Sequence, residues 1–215
     1  MKVQSFTVGP FQENSYLLVD ETAKRAVFID PGDEASRLLA ALEDSGAALQ
    51  AIWVTHGHVD HVGAIAAIKR KHPAVPVLLD PADLPLYRAA AQHGLLLGAT
   101  IEQPPDPDAA LADGQALNVG ALTFTVMAAP GHAPGHVVIH GHGIAFVGDC
   151  LFAGTVGRTD LPGANGGQLA RTLDKIVALG DATVVYSGHG PATTVSRERA
   201  GNPFLNGIAR VSGGE

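Results

Sequence analysis

Short runs of β-branched and aromatic residues alternate along this chain with longer segments whose leucines recur at helical spacing. Residues 2–8, 14–19 and 25–29 are rich in Val, Phe, Tyr and Ile, and turn residues separate them (Gly9-Pro10, then Asp20-Glu21), which predicts β-hairpins. Asp30-Pro31-Gly32 breaks the third run. Residues 35–42 then space Leu38, Leu39 and Leu42 along one helical face, and Gly46 ends that helix. The pattern continues as a strand at 51–54, a histidine-rich turn, a helix at 63–71, a strand at 75–79 and a helix at 82–92. Residues 103–113, with Pro104, Pro105 and Pro107, read as a surface connection and not as a domain boundary. The second half predicts strands at 122–127, 137–140 and 144–147, a helix at 168–179 and a strand at 183–186. Strands interleaved with helices over the whole length predict an α/β fold whose sheets are covered by helices, with residues 1–215 forming one domain.

Composition narrows the function classes. Hydrophobic residues are 46% of the 215 and charged residues 16%, enough apolar material for a buried core. The net charge is −7 and lysines and arginines do not cluster, which disfavours a nucleic-acid partner, since such a partner needs a basic footprint. No apolar run approaches the ~18 residues of a membrane span. The first ten residues lack a charged start followed by an apolar stretch, so a cytoplasmic protein is expected. Cys150 is the only cysteine, which rules out an intrachain disulfide or a thiolate cluster. Any metal must then be held by histidine and carboxylate.

The segment Thr55-His56-Gly57-His58-Val59-Asp60-His61-Val62-Gly63 carries four ligand-type side chains in six residues, directly after a strand. In extended backbone His56 and His58 leave on the same side. Asp60 and His61 come where the chain turns into a helix, so they can point elsewhere and stay close. Three further ligand types stand past later strands beside glycine: His132 in Pro130-Gly131-His132, Asp149 in Gly148-Asp149, and His189 in Gly188-His189-Gly190. Groups leaving neighbouring strand ends converge on one cleft. The seven divide between two divalent metals, with His56, His58 and His132 on the first, Asp60, His61 and His189 on the second, and Asp149 bridging. Such N/O donors suit Zn, and also Fe or Mn. Three protein ligands per ion plus a shared carboxylate leave room for solvent, as catalytic sites require.

His72, His93, His140 and His142 are read as ordinary surface or core histidines. His136, four residues past His132, is assigned a structural role beside the ligands, and Cys150 is read as a small buried hydrophobe facing away from them.

His56-Gly57-His58-Val59-Asp60-His61 resembles the HxHxDH signature of the metallo-β-lactamase superfamily, and His132, Asp149 and His189 follow in that family's order. The resemblance implies an αββα sandwich: two mixed β-sheets face to face, helices on the outer faces, metals at one edge. Residues 148–154, the segment 157–163 and the tail Glu198-Arg199-Ala200-Gly201-Asn202-Pro203-Phe204-Leu205 are similar to the short bacterial members of the glyoxalase II group. That similarity implies hydrolysis of a small-molecule thioester such as S-lactoylglutathione. In the long enzymes of that group a C-terminal helical domain supplies further basic residues for glutathione; only 26 residues follow His189 here. The family's basic residue for the glutathione glycine carboxylate falls at Arg158, while an aromatic position of the long enzymes is matched by Asp160. Arg158 is therefore a candidate for drawing in an anionic substrate, or else an ion-pair partner of Asp160.

The expected mechanism is attack by a metal-activated hydroxide on an ester or thioester carbonyl, with Asp60 a ligand that also orients the nucleophile. The nearest rival on the same framework is a mononuclear iron persulfide dioxygenase using His56, His132 and Asp149. A lactonase is a further alternative. A β-lactamase is disfavoured by the bridging Asp149, and a flavodiiron oxidoreductase by His58 standing where those proteins have Glu.

Overall fold

Apolar residues on both faces of the central strands force this chain into four layers. The structure, a computed structural model, describes residues 1–211. The first sheet takes its strands in chain order: β1 (Lys2–Val8), β2 (Glu13–Asp20), β3 (Arg25–Ile29), β4 (Ala48–Trp53), β5 (Val77–Leu79) and β6 (Ala109–Ala110). It is antiparallel from β1 to β3 and parallel from β3 to β6. Strands β7 (Ala116–Val119), β8 (Leu122–Ala128), β9 (Val137–Gly141) and β10 (Ile144–Gly148) begin the second sheet. A separate hairpin, β11 (Leu151–Phe152) with β12 (Thr155–Val156), intervenes before β13 (Val184–Ser187) and β14 (Thr193–Thr194) complete it in the order β14-β13-β10-β9-β8-β7. Only β10 and β13 run parallel in that sheet. Helices α1 (Ala35–Ser45), α2 (Val59–Val62), α3 (Ile65–Lys71), α4 (Leu84–Arg88) and α5 (Ala90–Leu96) belong to the first half, α6 (Gly166–Val177) and α7 (Val195–Gly201) to the second.

All eight residues of β2 are buried, because the strand has a core on each face. Leu17 and Val19 join Phe28, Leu38, Ile52, Ile65 and Ile68 between the first sheet and its helices. Tyr16 and Leu18 point the other way, into a core between the sheets with Val27, Ile29, Trp53, Phe124 and Phe146. Tilted aromatic pairs cross that gap, Tyr16 to Phe146 at 5.3 Å and Trp53 to Phe124 at 6.0 Å. A third core lies outside the second sheet, where Val138, Ala145, Val147 and Val185 meet Leu169, Leu173 and Ile176 of α6. Side chains one residue apart on a strand serve opposite cores, as the period of two demands. The result is the αββα sandwich. None of its described helices is long and apolar enough to cross a membrane.

Several expected elements are redrawn. The predicted helix at 63–71 is preceded by the one-turn α2, and the chain passes through Gly63 and Ala64 into α3. The helix expected at 82–92 is a 3-10 turn (Pro81–Asp83) followed by α4 and α5, separated at Ala89. The proline-rich connection contains β6, which pairs Leu78 with Ala109 and closes the edge of the first sheet. β6, β11, β12 and β14 are two residues each, too short for a period of two to register. The tail secures a distant hairpin. Buried Glu198 accepts from Gly154 N at 2.8 Å and Thr193 Oγ1 at 2.6 Å. Asn202 Nδ2 donates to Thr155 O at 3.0 Å. Together they clamp the β11–β12 hairpin, and so the segment that follows it, to α7.

Candidate metal centre

The parallel pairs β3–β4 and β10–β13 end at the same edge of the sandwich, and the polar residues gather there. His56 and His58 leave the loop after β4, and Asp60 and His61 lie in α2. His132 stands in the loop between β8 and β9, Asp149 just past β10, and His189 just past β13. Close backbone approach requires glycine at two of the neighbouring positions. A Cβ on Gly57 would stand 2.8 Å from Asp83 O and Tyr87 N, and one on Gly188 would stand 2.7 Å from His61 Cε1.

All seven side chains singled out in the sequence converge. One nitrogen each from His56, His58 and His132 forms a group whose atoms lie within 4.8 Å of one another, and Asp60, His61 and His189 form a second such group. Asp149 stands between them. Its Oδ1 is 3.4 Å from His61 Nε2, and its Oδ2 is 3.4 Å from His132 Nε2 and 3.6 Å from His189 Nε2. Asp60 Oδ2 lies 3.2 Å from His189 Nε2 and 3.8 Å from His61 Nε2.

Proton accounting shows which atoms face inward. Thr55 donates to Asp30 through its backbone N at 2.7 Å and its Oγ1 at 2.6 Å. With that hydroxyl proton committed, His56 Nδ1 donates to Thr55 Oγ1 at 3.1 Å. His61 Nδ1 donates to Asp30 Oδ2 at 3.1 Å, His132 Nδ1 to Arg158 O at 2.8 Å, and His189 Nδ1 to Gln12 O at 3.3 Å. A neutral imidazole has one N–H, so these four rings each present a bare Nε2 to the centre. His58 differs, turning Nδ1 to within 2.9 Å of His132 Nε2. Buried His56 Nε2, His61 Nε2 and Asp149 Oδ1 have no hydrogen-bond partner. Buried polar atoms normally find partners, so a cluster of orphaned lone pairs facing one point fits a cation. Asp30, which also falls in a metal-compatible group with His56 and His61, has its oxygens occupied by Thr55 and His61 Nδ1, and so orients His61 directly and His56 through Thr55.

The electrostatics point the same way. Burial, reinforced by the neighbouring imidazoles, holds His56 well below the ordinary histidine range, and burial with His132 and His61 beside it brings His58 down to about 4. Burial also opposes charge on His61, but Asp149 and Asp60 outweigh it and push this imidazole well above the usual value. Burial would raise Asp149, yet His61, His132 and His189 hold it far below the carboxylate range. Neutral His56 and His58 and ionised Asp149 stand in the forms in which such groups bind a divalent ion, while at His61 an ion would take the place of the proton that the carboxylates favour.

The supporting residues were only partly visible in the sequence. His136 is buried, accepts from Asp149 N at 3.1 Å through Nε2, and stacks on His56 with ring centroids 4.7 Å apart. Cys150 turns into the outer core, with Sγ 3.4 Å from His136 Nδ1. Asp83, not singled out in the sequence, accepts from Gly57 N at 2.9 Å and Gly135 N at 2.5 Å, tying the loops of His56 and His136 together. Glu13 is buried, with Oε1 3.8 Å from His61 Nδ1, and burial raises its carboxyl well above the usual value. The available signal for Asp30 was the one used elsewhere, an acid near glycine at a strand end. His93, read as an ordinary surface or core histidine, lines the cleft over the centre. Arg158 lines it too, but its guanidinium is exposed and held by both oxygens of Asp160, Nε at 2.6 Å and Nη2 at 2.7 Å.

An αββα sandwich with histidines and aspartates converging at one sheet edge defines a metal-dependent hydrolase scaffold. The chain belongs to the Metallo-beta-lactamase superfamily, whose family model matches residues 8–189. It is 35% identical over 216 residues to the hydroxyacylglutathione hydrolase GloC of Haemophilus influenzae, covering 96% of this chain and 99% of that one. Among solved structures it is similar to TTHA1623 in a di-iron-bound form, with 43% identity, TM-score 0.86, and 94% and 100% of the two chains covered. It is likewise similar to the BLEG-1 B3 metallo-beta-lactamase, with 35% identity, TM-score 0.88, and 95% and 99% covered.

Proposed function

We propose that this protein is a two-metal hydrolase of small-molecule thioesters. The observation that carries the reading is the place of Asp149, one oxygen toward His61 and the other toward His132, between two groups of three donors. His56, His58 and His132 would hold one ion and Asp60, His61 and His189 the other, with Asp149 shared. The ions would be Zn, or Fe or Mn, since no thiolate is present to select among them; the similar TTHA1623 is known in a di-iron form. When bound, such ions supply a hydroxide near neutral pH and polarise the carbonyl under attack.

The chain's own residues do the rest. Asp60, at the floor of the cleft, would orient the nucleophile by accepting its hydrogen bond, while Asp149 would serve as the shared ligand. Thr55 holds the ring of His56, Asp30 that of His61, the Arg158 carbonyl that of His132 and the Gln12 carbonyl that of His189. That rigidity is what lets donors be arranged before the reaction and not during it. A thiolate leaves without a strong acid, and none is required here. The GloC relative is named for hydroxyacylglutathione hydrolysis, which supports a thioester as the substrate.

The test is metal analysis of purified protein together with a panel of S-lactoylglutathione, simple acyl thioesters, acyl lactones and a β-lactam. Two ions per chain and thioester turnover without oxygen uptake are expected. One iron per chain with oxygen consumed on a thiol persulfide would overturn the reading in favour of a dioxygenase.

A further inference from the structure

The cleft over the metal centre, about 600 Å³, is walled mainly by apolar side chains above its floor of histidines and aspartates, with His93 and Arg158 the polar exceptions. Phe11 from the β1–β2 turn, Leu86 of α4, Leu96 and Leu97 at the end of α5, and Leu161-Pro162 form its walls. Leu95, Leu96 and Leu97 are 66%, 78% and 62% exposed, three consecutive leucines facing water beside the mouth. Single exposed leucines are ordinary, whereas a contiguous apolar patch joined to a cleft marks a binding surface. Its volume lies in the range of small-molecule sites.

Charge decides which molecule fits. Among the described residues Arg158 is the only lysine or arginine lining the cleft, and its guanidinium already makes a two-point pair with Asp160. A glutathione conjugate carries two carboxylates, and the described cleft offers no uncommitted guanidinium or ammonium to receive them. We propose that the cleft selects thioesters whose acyl group is an uncharged hydrocarbon chain, seated against Leu86, Leu96, Leu97 and Phe11, in preference to glutathione conjugates. This selectivity rests on the thioesterase reading above for its chemistry but not for its binding, and the two separate by experiment.

Two series serve on the metal-loaded protein: N-acetylcysteamine thioesters from acetyl to octanoyl, and the matching S-alkyl thioethers, which lack the scissile carbonyl. From the free energy of burying a methylene, kcat/KM is expected to rise about two- to fourfold per added CH2. The octanoyl ester should exceed S-lactoylglutathione, and thioether affinity by calorimetry should climb in parallel. The double variant Leu96→Ser with Leu97→Ser should flatten both slopes. Flat slopes in the unaltered protein, or better turnover of S-lactoylglutathione than of the octanoyl ester, would overturn the proposal. So would a double variant with unchanged slopes, or sedimentation showing that the leucines join two copies and leave thioethers unbound. Rising thioether affinity with no thioester hydrolysed would leave the selectivity standing and sink the thioesterase reading instead.

Discussion

Asp30 Oδ2 stands 3.1 Å from His61 Nδ1, and this contact turns the other nitrogen of the ring toward Asp60 and Asp149. The same carboxylate takes two hydrogen bonds from Thr55, whose hydroxyl holds His56. One buried acid at the end of β3 therefore aims a histidine from each of the two ligand groups. A carboxylate behind a ligating histidine fixes its tautomer and raises its basicity.

Replacing Asp30 should for that reason act on both ions at once. Asp30→Ala is expected to weaken metal binding about 10- to 100-fold while the sandwich stays folded. Competition against a calibrated chelator, with circular dichroism as the folding control, reads the effect. Unchanged affinity would deny Asp30 its orienting role.

The two groups of donors make the sites separable. His58→Ala and His189→Ala are each expected to leave one ion per chain, while Asp149→Ala, which removes the shared ligand, loses both together with activity. Mass-spectrometric metal counts on the three variants distinguish this from a single site held by His56, His132 and Asp149, in which only the Asp149 replacement would change the count. Stripping metal from the unaltered protein should lower its thermal midpoint, because an ion that binds the folded chain and not the unfolded one stabilises the fold by mass action.

The Arg158–Asp160 pair is exposed, so breaking it disturbs stability little. Asp160→Ser should free the guanidinium for an anionic substrate, lowering KM for S-lactoylglutathione by about two- to fivefold, the range of an exposed ion pair, with kcat unchanged. Turnover of an uncharged acyl thioester should not respond. A steady-state comparison of the two substrates checks this, and an equal response would remove Arg158 from substrate recognition.

The metal-free protein should be acid-sensitive in a particular window. His56, His58 and His136 are all held below their ordinary value by burial, His58 at about 4. An imidazole depressed in the folded state is protonated more readily when unfolded, so stability falls as pH drops from about 6.5 toward 4. His61 and His189, raised by the aspartates against the pull of burial, act in the opposite sense and lose stability as pH rises through their folded values. Denaturant midpoints of chelated protein between pH 7 and pH 4 show the balance. His136→Gln should make the decline shallower, and a decline as steep as before would mean that His136 is not buried as a neutral ring.

By itself the sequence picked out the seven side chains that converge at one edge. Four donor residues packed into 56–61 and three more beside glycine at strand ends are local patterns, and ligand chemistry demands particular residue types at particular spacings. The alternation of strands and helices gave an α/β fold with covered sheets, and the resemblance carried by residues 56–61 implied its four layers. The two-residue strands and the break at Ala89 lay below what periodicity can register. What only the tertiary structure decided is everything that depends on residues distant along the chain sharing one buried edge. Asp30 behind His61, Asp83 joining Gly57 to Gly135, and Glu198 clamping Gly154 are contacts with no local signature. Arg158, which lines the cleft, was left in the sequence between an anion receptor and an ion-pair partner of Asp160, and the structure shows the pair. Half-buried Leu86 and exposed Leu96 and Leu97 give the same cleft an apolar character, which arises only when α4, α5 and the segment 157–163 meet over the centre.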